Sequence, residues 1–114
     1  MIYLAIPYSN QPDHKEVFKL ATEIAAHLIS IGLHVYSPIT HCHPIHQVAD
    51  LPKEFKFWRD YDFWFVDRCE AVWVVKLPGW MQSKGVTAEF QRARTKEIDV
   101  RYFEPHELLN YEVS

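Results

Sequence analysis

Glu89 sits six residues after Ser83 in the run Ser83-Lys84-Gly85-Val86-Thr87-Ala88-Glu89, one turn into an expected helix. A carboxylate near the positive end of a helix stays ionised, and an ionised carboxylate can attack an anomeric carbon. The same residue type on a helix surface is more often simply solvated. Asp62 is less ordinary. If residues 55–69 are helical, Phe55, Trp58, Asp62, Phe65, Val66 and Cys69 share one stripe, which sets a carboxylate on a mainly apolar face. Proteins rarely bury an unpaired Asp, so Asp62 caps its helix, pairs with Arg59 or Arg68, or serves a site; Asp60 is an alternative cap.

Other candidates flank these two. Gly79 and Gly85 bound the loop before Glu89, and backbone N–H groups at a helix start there could hold an anion such as a 5′-phosphate. Ser83 could donate its hydroxyl to that anion or cap the helix. Tyr8 and Trp80 offer aromatic faces for a base, and the Tyr3 hydroxyl could orient a carboxylate, although a tyrosine within a strand equally suits the core. The segment His41-Cys42-His43-Pro44-Ile45-His46 has the residue types of a metal site without the spacing, so no metal is expected; His43 is placed near the substrate instead. A Rossmann glycine fingerprint, a Walker loop and a Gly-x-Ser-x-Gly elbow are all absent, and no cofactor is called for.

The elements that must position these groups follow from periodicity. Ile2 to Ile6 is a short β-type run stopped by Pro7. Asp13 and Glu16 form a capping pattern, and Val17, Leu20, Ala21, Ile24, Leu28 and Ile31 trace one buried helical face that ends at Gly32. His34-Val35-Tyr36 predicts a second strand broken by Ser37-Pro38, and Pro38 to Asp50 reads as a long loop. Helical pattern resumes from Lys53 to Cys69. The apolar run Ala71 to Leu77 suits a central strand covered on both faces. A loop over 78–85, a helix over 86–96, a strand over 99–103 and a terminal helical turn over 107–111 complete the chain. Strands alternating with helices predict an α/β fold: a small doubly wound parallel sheet, flavodoxin-like or Rossmann-like, of order 2-1-3-4 with helices on both faces. The order reverses between the first and third strands, which brings Pro7-Tyr8-Ser9 and the 78–85 loop together where such sheets bind ligands.

These residues resemble the nucleoside 2-deoxyribosyltransferase superfamily, and most closely an uncharacterised branch, domain of unknown function 1937. The likeness runs through Ile2-Tyr3-Leu4-Ala5-Ile6-Pro7-Tyr8-Ser9, Ser37-Pro38-Ile39, Asp62, and the block Gly79-Trp80-x-x-Ser83-x-Gly85-x-x-x-Glu89. The resemblance implies that Glu89 attacks C1′ of a sugar, that Tyr3 orients it, and that Asp62 positions the sugar or assists proton transfer to the leaving base. It also implies that Ser83 contacts a phosphate. Glu70 stands where the superfamily has Asp, and the Pro7-Tyr8-Ser9 segment differs from its glycine-rich loop. A retaining route of this kind suits two carboxyl groups about 5 Å apart. The alternative on the same scaffold is a nucleotide-binding sensor or accessory module in which Glu89 grips a ribose hydroxyl without turnover.

Composition sets outer limits. A length of 114 residues fits one domain over 1–114. A net charge of −3 provides no global basic field for a nucleic acid polymer, and no apolar run reaches membrane-spanning length. Cys42 and Cys69 have no disulfide-framework spacing, and the start Met1-Ile2-Tyr3-Leu4 lacks a basic n-region, so a cytoplasmic setting is expected. The resemblance implies a small nucleoside or nucleotide as partner. Aromatics make up 15% of the chain, and the group around Phe55, Phe57, Trp58 and Tyr61 predicts a homo-oligomer.

Overall fold

The computed structural model describes residues 1–52 and 54–113. Four parallel strands, β1 (Ile2–Ala5), β2 (Val35–Tyr36), β3 (Ala71–Val75) and β4 (Asp99–Phe103), form a sheet of order β2-β1-β3-β4. This is the doubly wound α/β architecture that the element pattern predicts. Five helices surround it: α1 (His14–Ser30), α2 (Pro38–Ala49), α3 (Phe55–Val66), α4 (Lys84–Thr95) and α5 (Pro105–Leu109).

Strand alternation divides the core into two layers. Ile2, Leu4 and Ile6 face Val17, Ala21, Ile24 and Leu28 of α1, together with Trp73, Val75 and Leu108. Tyr3 and Ala5 face the other way, toward Val66 of α3, Val86 and Ala93 of α4, and Val72 and Val74. Because successive strand side chains point to opposite faces, Tyr3 belongs to the α3–α4 layer. That parity matters for the site. The first helix begins as its capping residues imply, with the Asp13 side chain accepting from the backbone N–H groups of Lys15 and Glu16.

One helix start shifts by a physical cause. Ser83 caps α4 by accepting from Val86 N at 3.2 Å, so the helix starts at Lys84 and encloses Gly85. The expected start of the third helix, Lys53, lies outside the described residues; the helix runs from Phe55.

One expectation is corrected. Pro38 to Asp50 is not a long loop but α2, and Pro44 lies inside it. Ser37 is the N-cap, accepting from Thr40 N at 3.3 Å, and Pro38 occupies the first turn, where a missing N–H costs nothing. Ser37-Pro38, read as a strand breaker, is therefore equally a helix starter. Pro44 removes one internal hydrogen bond, and burial of Ile39, Cys42, His43 and His46 offsets that loss. Asp50 then closes the helix in the left-handed region at φ 51°.

Leu28 is fully buried between α1 and the sheet. Leu28→Ala is expected to cost about 2–5 kcal/mol of stability, measured by urea unfolding, because the rigid strands cannot close the cavity it leaves.

Candidate functional site

Sheet parity aims Tyr3 at the α3–α4 layer, and there its hydroxyl donates to Glu89 Oε2 at 2.6 Å. Both side chains are almost wholly enclosed, Tyr3 at 0% exposure and Glu89 at 5%. Asp62, on the inward face of α3, lines the same cavity and lies close enough for the two carboxyls to influence each other's protonation. Three residues from three elements thus meet beneath one cavity of about 1110 Å³. Asp62 makes no ion pair with Arg59 or Arg68. Arg59 pairs with Asp60 at 3.6 Å, while Arg68 donates to the Trp64 carbonyl and lies over its ring. Among the described residues Asp62 Oδ1 has no hydrogen-bond partner although it is buried.

The electrostatics follow from that enclosure. Burial pushes the Asp62 carboxyl up to about 7. Burial and the nearby Asp62 charge drive Glu89 well above the ordinary carboxylate range. Two neighbouring buried carboxyls cannot both ionise cheaply, so they titrate as a pair. The Tyr3 hydroxyl can only donate to Glu89, because burial, the Glu89 charge and the Asp62 charge hold its own ionisation far above pH 10. That donation opposes burial and the Asp62 charge at Glu89 and favours its ionised form.

The cavity is lined by α2, the start of α3, the start of α4 and the segment after β1. Tyr8, Ser9, His43, Ser83 and Gly85 line it with Asp62 and Glu89. Pro7, Gly79 and Trp80 do not line it. Pro7 is buried, and Trp80 packs on Tyr102 with ring centroids 5.6 Å apart. Gly79, at φ 82°, shapes the turn after β3. The segments after β1 and β3 do meet at the reversal of strand order, through Asn10 Nδ2 donating to Gly79 O at 3.0 Å and Gln11 Nε2 to Pro78 O at 2.8 Å. Neither Asn10 nor Gln11 stood out in the sequence, since an amide in a loop has no pattern to betray its partner.

His43 comes from α2 and reaches the cavity from a rigid helix instead of a loop. Its Nδ1 lies 2.8 Å from the Tyr8 hydroxyl, and its ring stacks on Phe18. His41 bonds the Tyr61 hydroxyl and His46 the Leu51 carbonyl. Among the described residues no group of three or more His, Cys, Asp or Glu side chains is arranged to hold a metal ion. Gly85 has a packing role: a Cβ there would meet the Phe55 ring at 3.3 Å. Phe55, Phe57 and Trp58, expected at an oligomer interface, line the cavity, whereas Tyr61 stacks against His41. Cys42 lines it too, but burial and the nearby carboxylates hold its thiol at about 12, so it is no nucleophile near neutrality.

Residues 1–105 match the model of a family described as a domain of unknown function (DUF1937), and the chain belongs to that family. Comparison with curated proteins finds no match. Among the described residues no helix is long and apolar enough to cross a membrane.

The raised carboxyls carry a cost in stability. An unfolded Asp or Glu titrates near pH 4, while the folded pair binds its proton more tightly. Between those values the folded state holds a proton that the unfolded state releases, so the pair's contribution is fully present below about pH 4 and is lost as pH rises toward about 7. Asp62→Asn removes the like charge and supplies an amide donor to Glu89. It is expected to be the more stable protein at pH 8 by roughly 1–3 kcal/mol and to lose that advantage at pH 4, as read by thermal unfolding at the two pH values.

Proposed function

We propose that this chain cleaves, or transfers at, the N-glycosidic bond of a nucleoside or nucleotide, with Glu89 as the nucleophile at C1′. One observation carries the reading: a buried Glu89 that accepts from Tyr3 and contacts Asp62 at the floor of a cavity large enough for such a substrate. Ligand cavities typically measure about 300–1,000 Å³. The resemblance to the nucleoside 2-deoxyribosyltransferase superfamily supports the same assignment.

In this mechanism the ionised Glu89 approaches C1′ as the bond to the base nitrogen breaks. The bonding pair leaves with the base, and the proton on Asp62 passes to that nitrogen. Glu89 is then esterified to the sugar. Asp62, now ionised, takes a proton from water, whose oxygen attacks C1′ and frees Glu89; a second base in place of water gives transfer. The first step needs Glu89 ionised and Asp62 protonated, and the bond from Tyr3 stabilises the ionised Glu89. Ser83 and the start of α4 suit a 5′-phosphate, while the Ser83 hydroxyl oxygen is also engaged in capping.

Base release, followed by chromatography over nucleosides, 5′-monophosphates and NAD, tests the assignment. Wild type is expected to free a base from at least one compound, and Glu89→Ala to lower that rate by at least about 10³-fold while the ligand still binds. Binding without release by the wild type would instead identify a nucleotide-sensing module.

Exposed Phe57, Tyr61 and Trp64 on α3, at 52%, 39% and 53%, support self-association through that helix. Sedimentation is expected to show a species larger than one chain at high micromolar concentration; monomer alone would remove this reading.

A further inference from the structure

α3 and α4 each bury one carboxyl in the same layer, Asp62 and Glu89, and the two repel whenever both are ionised. Something must hold the seam closed. Its two ends are built differently from its middle. At one end Gly85 has no side chain, so the first turn of α4 sits against Phe55 of α3. At the other, Arg92 Nε and Nη2 donate to Asp67 Oδ1 and Oδ2, each at 2.8 Å. Arg92 lies three residues beyond Glu89, and Asp67, the C-cap of α3, lies five beyond Asp62. The guanidinium also lies over the Phe63 ring, 5.1 Å from its centre.

We propose that the Asp67–Arg92 fork is a positioning device for the Asp62–Glu89 pair: it pins α3 to α4 one turn beyond the carboxyls and thereby sets their separation. A two-bond fork fixes direction as well as distance, which a lysine ammonium cannot do. As an ion pair near the surface it contributes little to global stability, so its effect is local. It does not act by its charge on the carboxyls. The titratable groups near them are Tyr3 from β1, Tyr36 from β2, Cys42 from α2 and Tyr61 from α3 itself, and burial with the carboxyls' mutual influence accounts for their raised protonation. Arg92 is engaged with Asp67, whose carboxyl it holds below the usual range.

This inference deepens the proposed reaction, which needs the two carboxyls in contact, but its test does not require turnover. Side-chain carboxyl resonances of Asp62 and Glu89 are followed by carbon NMR against pH in the full chain, with Asp62→Asn and Glu89→Gln to assign them. In Arg92→Ala the seam opens, water enters, and the higher midpoint of the pair is expected to fall by roughly one pH unit. Loss of a cation acting through charge alone would raise it instead, so the direction separates the two mechanisms. Arg92→Lys is expected to fall part of the way, and the charge-reversed double variant Asp67→Arg with Arg92→Asp to restore most of the wild-type midpoint. An unchanged or raised midpoint in Arg92→Ala, with the amide spectrum still that of the folded chain, overturns the proposal. Should Arg92→Ala fail to fold, Arg92→Lys decides on the same reading. Absence of base release from the wild type would count against the reaction while leaving the titration result to judge the fork.

Discussion

The hydrogen bond from Tyr3 to Glu89, with Asp62 in contact behind it, is the constraint on which the rest of the structure turns. Burying two carboxyls costs several kcal/mol unless something relieves their charge, and here the relief is a shared proton and one phenol donor. Every large feature of the fold bears on keeping that arrangement in place. The parity of β1 aims Tyr3 at the α3–α4 layer. Apolar contacts of Val66, Val86 and Ala93 hold the two helices against the sheet. The surrounding dryness that raises both carboxyls is supplied by the same side chains that build the core.

Burying the carboxyl pair lowers stability as pH rises toward neutrality. The strands β1 and β3, whose residues are almost all buried, make the sheet a rigid floor, and the carboxyls are presented from helices that rest on it. Around them the cavity mixes aromatic walls from Tyr8, Phe55 and Trp58 with a few polar groups, which is the usual composition of a small-molecule site. α2 contributes the wall that the sequence hides best. Its proline and histidines look like loop composition, yet Cys42, His43 and His46 all turn inward.

Much of the fold was legible because periodicity is a local property. The apolar stripe of α1, the all-apolar β3 and the capping residue Asp13 each state their element without reference to anything distant. Strand order followed from the alternation of helices and strands. The failure at Pro38 to Asp50 has a specific cause: Ser-Pro ends a strand and starts a helix with the same two residues, and only the burial of the following side chains selects between them. Likewise Trp80 sits in a motif that suggests ligand contact, whereas it packs on Tyr102 and does not line the cavity. A motif records which residues stand together in the chain; it does not record which of them face outward.

Residue type, spacing and period alone determined the α/β class, the sheet order, the two loops that meet at the switch point, and the candidacy of Tyr3, Asp62 and Glu89. Those follow from hydrogen-bond geometry and side-chain alternation, which act over a few residues. Only the tertiary structure decided that Tyr3 and Glu89, 86 positions apart, share a hydrogen bond, that Asp62 faces Glu89 and not an arginine, and that Asp67 and Arg92 close the seam beside them. The reason is physical. Whether a carboxyl is solvated, paired or buried depends on how two helices pack across a sheet, and the energy of that packing belongs to no single segment of the chain.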